Sequence, residues 1–223
     1  MTRFRKSKTE DFVMIFKKMF VTMVFGIILL SLIATLSGIF SGQGPGKFKY
    51  ESIRGQTVTI YGKGIYKHMS ADVAVQGIAQ DYVTLIFGIP LLLISFLFAR
   101  KNSLRGTFAL TGVSGYFLVT YLFYMCMGMY NQLFLIYVAL TSLSFFTFLL
   151  TILSIDVENV RSCFREKLPV GFIGGFLIFN SIAIAFLWLS IIVPPLIDGT
   201  LYPAAVQHYT TLIVQGMDLS LLL

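Results

Sequence analysis

His208, Thr211, Gln215 and Asp218 are spaced three, four and three residues apart, so a helix presents all four on one face. An imidazole, a carboxylate and two neutral hydrogen-bonding groups in a row could relay a proton or hold a small polar solute. A second arrangement is Ser114, set between glycines in Gly112-Val113-Ser114-Gly115. With His208 as its base, that serine could in principle carry out acyl transfer. A third group consists of polar residues at the edges of apolar runs: Gln80 and Asp81, Asn131 and Gln132, and Asp198. The remaining chemistry is sparse. There is no HExxH, EF-hand loop or nucleotide-binding pattern, and Gly62-Lys63-Gly64 lacks the Ser/Thr ending and following helix of a phosphate loop. Cys126 and Cys163 form no CxxC pair and have no metal-ligand neighbours. The residues thus offer no catalytic set, no metal site and no cofactor.

The elements that carry these residues are set by hydropathy. Of the 223 residues, 57% are hydrophobic and 12% charged, against about 25% charged in an ordinary soluble domain. The apolar residues come in long runs with no polar face, which excludes a soluble helical or sheet core. The net charge of +7 does not point to nucleic acid, because the cations flank apolar runs and form no groove-reading motif. The expected fold is therefore an all-α membrane protein, a polytopic bundle of about six transmembrane helices in one integral membrane domain over residues 1–223. A crossing needs ~20 apolar residues, and the spans are expected at about 19–40, 83–99, 107–129, 133–155, 170–193 and 204–223.

The run from Met19 to Phe40 is too long for a cleaved signal peptide and no A-x-A site follows it, so it reads as a retained anchor. Thr9 is a candidate cap for a short helix before it, with Glu10 and Asp11 in the first turn. That helix would lie on the inner leaflet before turning into the membrane. Pro90, inside the second span, predicts a kink. Pro194-Pro195 is expected to close the fifth span. The last span stops at Leu223 inside an apolar run, which is expected of a fragment whose natural partner sequence would complete the span, with a complete protein of short, buried end as the alternative.

Residues 41–81 are the only long polar segment. Thr57-Val58-Thr59-Ile60-Tyr61 alternates and is β-branched, and after Gly62-Lys63-Gly64 a second strand is expected over Gly64–Lys67, giving a small extracytoplasmic β-hairpin. Ser70 reads as an N-cap with Asp72 in the first turn, so a helix should start near Ala71 and merge into span two. Six Lys and Arg residues lie in the N-terminal head, three follow span two and three follow span four. The other side carries five, Lys47, Lys49, Arg54, Lys63 and Lys67. The positive-inside rule places the N-terminus in the cytosol of a cell with a cytoplasmic (inner) membrane and the 41–81 loop outside.

That topology bears on each arrangement. The GxSG run and a histidine on the last of six helices resemble rhomboid-type intramembrane serine proteases. However, Ser114 would lie about 10 Å in from the cytosolic end and His208 at the outer end, roughly 20 Å away, where a nucleophile and base need ~3 Å. Small residues permitting close helix packing account for the motif better. Ala34/Gly38 and Gly171/Gly175 have the same small-xxx-small spacing and are expected to serve packing. Asp218, about 14 residues into the sixth span, would lie ~21 Å deep, at a cost of ~2.5–3.5 kcal/mol on insertion scales. It must face protein or water, be protonated, or pair, and with no Lys or Arg inside a span its partners would be neutral, such as Asn180, Ser181, Tyr121 or Tyr124. Cys126 and Cys163 would lie at opposite ends of the membrane, so no bridge between them is expected.

Gly64-Ile65-Tyr66, Gln80-Asp81, Gln207-His208-Tyr209-Thr210-Thr211 and Asp218-Leu219 together resemble uncharacterised prokaryotic multi-pass membrane proteins. The resemblance implies location and no chemistry. Three functions follow as expectations: an accessory or sensor-like protein with an outward recognition loop, a small transporter or channel-like protein using the polar face of the last helix, and a membrane-embedded enzyme. The expected partners are the lipid bilayer and other membrane protein subunits, with no nucleic acid.

Overall fold

The computed structural model describes residues 2–155, 157, 160, 168–200 and 213–221. Helix α1 (Thr2–Phe40) is followed by strands β1 (Phe48–Glu51) and β2 (Thr57–Ile60). Then come α2 (Ala71–Arg100), α3 (Leu104–Met127), α4 (Phe134–Leu153), α5 (Val170–Asp198) and α6 (Ile213–Leu221). Among the described residues, five helices are long and apolar enough to cross a membrane: Lys18–Phe40, Ala71–Arg100, Leu104–Cys126, Phe134–Leu153 and Val170–Asp198. The sixth expected span is seen only as α6, because residues 201–212 lie outside the described residues. The chain divides into two units.

The first unit comprises Met1–Phe40, Ile78–Met125 and Tyr130–Asp156. Its core is built at helical spacing. On α4 the buried positions are Tyr137, Leu140, Ser144, Thr147 and Thr151, a seam of alternating three and four residues. On α1 they include Val24, Ile27, Ser31, Ala34 and Thr35. These two seams pack together, and Gly26 lets the Leu143 side chain approach to 3.1 Å of where a Cβ would stand. Ala34 and Gly38 lie on the buried face of α1, consistent with a packing role. No break occurs at Thr9 or at Lys17-Lys18: α1 is continuous from Thr2, so the expected separate N-terminal helix is corrected. With no glycine or proline among the first 25 residues, nothing in the local sequence stops the helix.

Helix α2 starts at Ala71 with Asp72 in its first turn, as the capping pattern anticipates. It then runs unbroken into the second apolar run. The irregularity expected at Pro90 takes the form of a π turn, Thr84–Gly88, in which the Ile89 N–H donates to the Thr84 carbonyl. A proline ring collides with the carbonyl four residues earlier, here Ile86. A π turn widens the helix at that point.

The second unit comprises Ser41–Gly77, Cys126–Met129 and Val157–Leu223. In its loop part β2 alternates, with Val58 and Ile60 buried and Thr57 and Thr59 exposed. Its partner is β1, antiparallel, with Phe48 opposite Ile60 and Glu51 opposite Thr57. The hairpin expected between Thr57–Tyr61 and Gly64–Lys67 is therefore corrected, since Gly64–Tyr66 is a 3-10 turn. Residues 61–70 instead close on themselves. Tyr61 N–H donates to Met69 O, Gly62 N–H to Lys67 O, and an isolated bridge joins Ile60 and Ser70. Gly62 and Gly64 both take positive φ, 71° and 58°, which breaks the extended conformation a second strand would need. A five-residue turn joins β1 to β2, with the Ser52 hydroxyl accepting from the Arg54 and Gln56 amides.

Pro194 and Pro195 do not close the fifth long helix. Helix α5 passes through both and ends at Asp198, where Gly199 adopts the left-handed conformation (φ 64°). This corrects the expected end at Val193. Gly171 and Gly175 have no atom within 4 Å of an added Cβ, so they form no close helix contact among the described residues. Cys126 is free and exposed, and Cys163 lies outside the described residues.

Candidate functional site

The first unit gathers polar groups where α2 meets α3 and α4. Gln80, Asp81 and Thr84 lie within one turn of α2, and α3 faces them with Tyr116, Thr120 and Tyr124 at four-residue spacing. The Gln80 Nε2 donates to the Tyr116 hydroxyl at 2.7 Å and approaches Thr120 Oγ1 at 3.5 Å. Tyr116 also shares a 2.7 Å hydrogen bond with Thr84 Oγ1. Asp81, only 3% exposed, accepts from the Tyr124 hydroxyl at 3.0 Å. The tyrosines stack on one another: Tyr121 lies 6.2 Å from Tyr137 at 21° and Tyr124 lies 5.3 Å from Tyr137. Asn131 closes a turn just before α4, its Oδ1 accepting the Leu133 amide at 2.8 Å. Gln132 is exposed, and Asp198 is exposed at the end of α5.

Further along the unit, the buried hydroxyls mostly satisfy themselves. Ser31, Thr35, Ser114 and Thr151 each donate to the carbonyl four residues earlier, at 2.6–2.8 Å, a common way for a hydroxyl to live inside a helix. The serine of the GxSG run is thus fully buried and bonded to Leu110 O. Ser144 and Thr147 are buried hydroxyls with no partner. The Tyr121 hydroxyl faces Ser31 outside hydrogen-bond geometry.

In the second unit, Asp218 accepts a 2.8 Å hydrogen bond from the Trp188 indole N–H. The neutral partner is therefore on α5, but it is neither Asn180 nor Ser181. Asn180 Nδ2 is turned back onto Phe176 O at 2.7 Å. Gln215, one turn before Asp218, is 1% exposed and its Oε1 has no partner. Met217 is half-buried, while His208 and Thr211 lie outside the described residues. Among the described residues, no three His, Cys, Asp or Glu side chains meet in a way that could hold a metal ion.

Sequence spacing contained more of this than was read from it. Tyr116, Thr120 and Tyr124 fall on one face of α3, and Gln80 and Thr84 on one face of α2; the residues missed are Thr84, Tyr116, Thr120, Tyr137 and Trp188. Chemically, a buried carboxylate bonded by phenol hydroxyls can fix helices in register and can exchange a proton.

Because Trp188 is the only tryptophan, its contact with Asp218 can be read directly. Asp218→Leu removes the acceptor for the indole N–H, and the emission maximum is expected to move to shorter wavelength. Asp218→Asn keeps an acceptor oxygen and should leave the spectrum near that of the wild type. Equal spectra for Leu and wild type would show that the bond is absent in solution.

These elements define a predominantly helical chain with, among the described residues, five helices long and apolar enough to cross a membrane and one small antiparallel sheet. The chain matches no family model, no curated protein and no solved structure.

Proposed function

We propose that this chain is an integral protein of the cytoplasmic membrane, with its N-terminus in the cytosol, whose residues 41–81 form the outward recognition element of an accessory or sensor-like protein. The observation that carries the reading is α2. It begins at the polar loop and continues without a break as an apolar helix, and it bears Gln80, Asp81 and Thr84 against the α3 tyrosines. The unequal distribution of Lys and Arg supports the orientation. The loop offers exposed apolar groups for a partner, including Ile53 (72% exposed), Phe48 and Tyr50.

Two measurements test this. In intact cells, an impermeant amine reagent is expected to label the exposed Lys63, and Lys63 protected until lysis would overturn the orientation. A photoreactive residue at position 53 is expected to give a discrete adduct with another envelope or membrane protein. No adduct there, together with normal behaviour of a chain whose 52–56 turn is replaced by Gly and Ser, would overturn the recognition role.

A second reading, a small transporter or channel-like protein, has one specific support: the last helix buries Gln215 with an unpartnered acceptor one turn from Asp218. The enzyme reading has no such support among the described residues.

A further inference from the structure

The π turn in α2 is held by a specific set of contacts outside the helix. A π turn accommodates one residue more than an α-helical turn and packs its backbone less well, so it persists only where something favours it. Two features do so here. Pro90 stands just after the turn, and its ring opposes an α-helical carbonyl at Ile86. The Tyr116 hydroxyl of α3 bonds both Gln80, before the turn, and Thr84, its first residue. Gly88 at the end of the turn makes room for this, since a Cβ there would stand 3.0 Å from Tyr116 Cε1. The ring thus lies along the length of the turn, from one turn before it to its last residue.

We infer that α2 is a helix with two registers, and that Tyr116 is the positioning residue that selects the one seen. Resolving the π turn into α-helix removes its extra residue. The segment before it, which includes Gln80 and Asp81, then rotates by about 100° and shifts by ~1.5 Å relative to Ile89–Arg100. In that second register Gln80 and Thr84 leave Tyr116, Asp81 leaves Tyr124, and a neighbouring residue such as Tyr82, now 48% exposed, takes the inward position. The two packings are discrete, because side chains on a helix face interdigitate in one register or another. Anything that favours the rotated segment therefore changes the surroundings of Asp81 in a single step. The inference concerns contacts within the first unit and holds whatever the loop binds.

The experiment is a spin-label distance measurement on the full chain in lipid nanodiscs. Labels are placed at two exposed positions on either side of the turn, Val83 and Phe98, with Cys126 and Cys163 replaced by serine. The unaltered background is expected to give one dominant distance. Tyr116→Phe, which removes both hydrogen bonds and keeps the ring, should add a second population displaced by several ångström. Tyr116→Phe with Pro90→Ala should make that population dominant. Gly88→Ala, which crowds the ring and leaves the hydroxyl in place, should shift the ratio in the same direction. If Tyr116→Phe does not fold, Thr84→Val removes one of the two bonds from the other side and is read in the same way. A distance distribution unchanged in both the double variant and Gly88→Ala would overturn the inference.

Discussion

Gly62→Ala is expected to leave the long helices intact while the 41–70 segment loses its fold. Gly62 sits at φ 71°, and a Cβ there would run into the Gly46 carbonyl, whose own amide bonds Gly62 O at 3.2 Å. The left-handed conformation alone costs a non-glycine residue about 1–2 kcal/mol. The overlap cannot be relieved by a rotamer change, because the obstacle is backbone. Gly64→Ala should behave alike, since its Cβ would meet the Ser41 carbonyl and hydroxyl, and that hydroxyl accepts the Ile65 amide at 2.9 Å. A loss of roughly 3 kcal/mol or more is a large share of what so small a segment can hold. Amide hydrogen exchange is the measure. Protection at 57–70 should fall towards that of an open chain, with 107–125 unchanged. Full protection at 57–70 in both variants would mean that the two glycines do not occupy these conformations.

The second large effect separates a ring from its hydroxyl. Tyr121 is 1% exposed and packs against Phe117, Tyr124 and Tyr137. Tyr121→Ala leaves a ring-sized cavity among them, expected to cost about 3–5 kcal/mol. Tyr121→Phe keeps the ring and removes a buried hydroxyl without a partner, so it should be neutral within ~1 kcal/mol or mildly stabilising. Denaturant titration of the purified chain in mixed micelles compares the two. Equal losses for Phe and Ala would show that the hydroxyl carries an interaction, with Ser31 as the nearest group to supply it.

The sequence was most legible where one physical term dominates. Long apolar runs located the five long helices, short of the true end of α5 at Asp198 and the continuous start of α1, and Ser70 with Asp72 located the start of α2. It was least legible where two local signals compete. Tyr61 to Lys67 has the residues of a strand, but the glycines at 62 and 64 turn the chain, and the better partner for β2 proved to be Phe48-Lys49-Tyr50-Glu51, whose charges disguise it. Proline was read as a kink at Pro90 and as a helix end at Pro194-Pro195, yet Pro90 follows a π turn and Pro194-Pro195 lie within α5. The polar cluster was half visible: Gln80, Asp81 and Asn131 stood out at the ends of apolar runs, whereas their tyrosine partners looked like ordinary aromatic filling.

The passage of α5 through Pro194 and Pro195 also bears on where a bilayer would end. Two consecutive prolines leave the carbonyls of Ser190 and Ile191 without their usual helix donors, and hydrocarbon provides no substitute. From Val170 to Ser190 is about 30 Å at ~1.5 Å per residue, one hydrocarbon thickness. A bilayer around α5 would then have its boundary within the helix, with the bare carbonyls in headgroup water. On the proposed membrane reading, Trp188 would then stand in the interfacial aromatic belt, and Asp218, tied to its indole, would lie near the membrane's edge, where a carboxylate can stay hydrated.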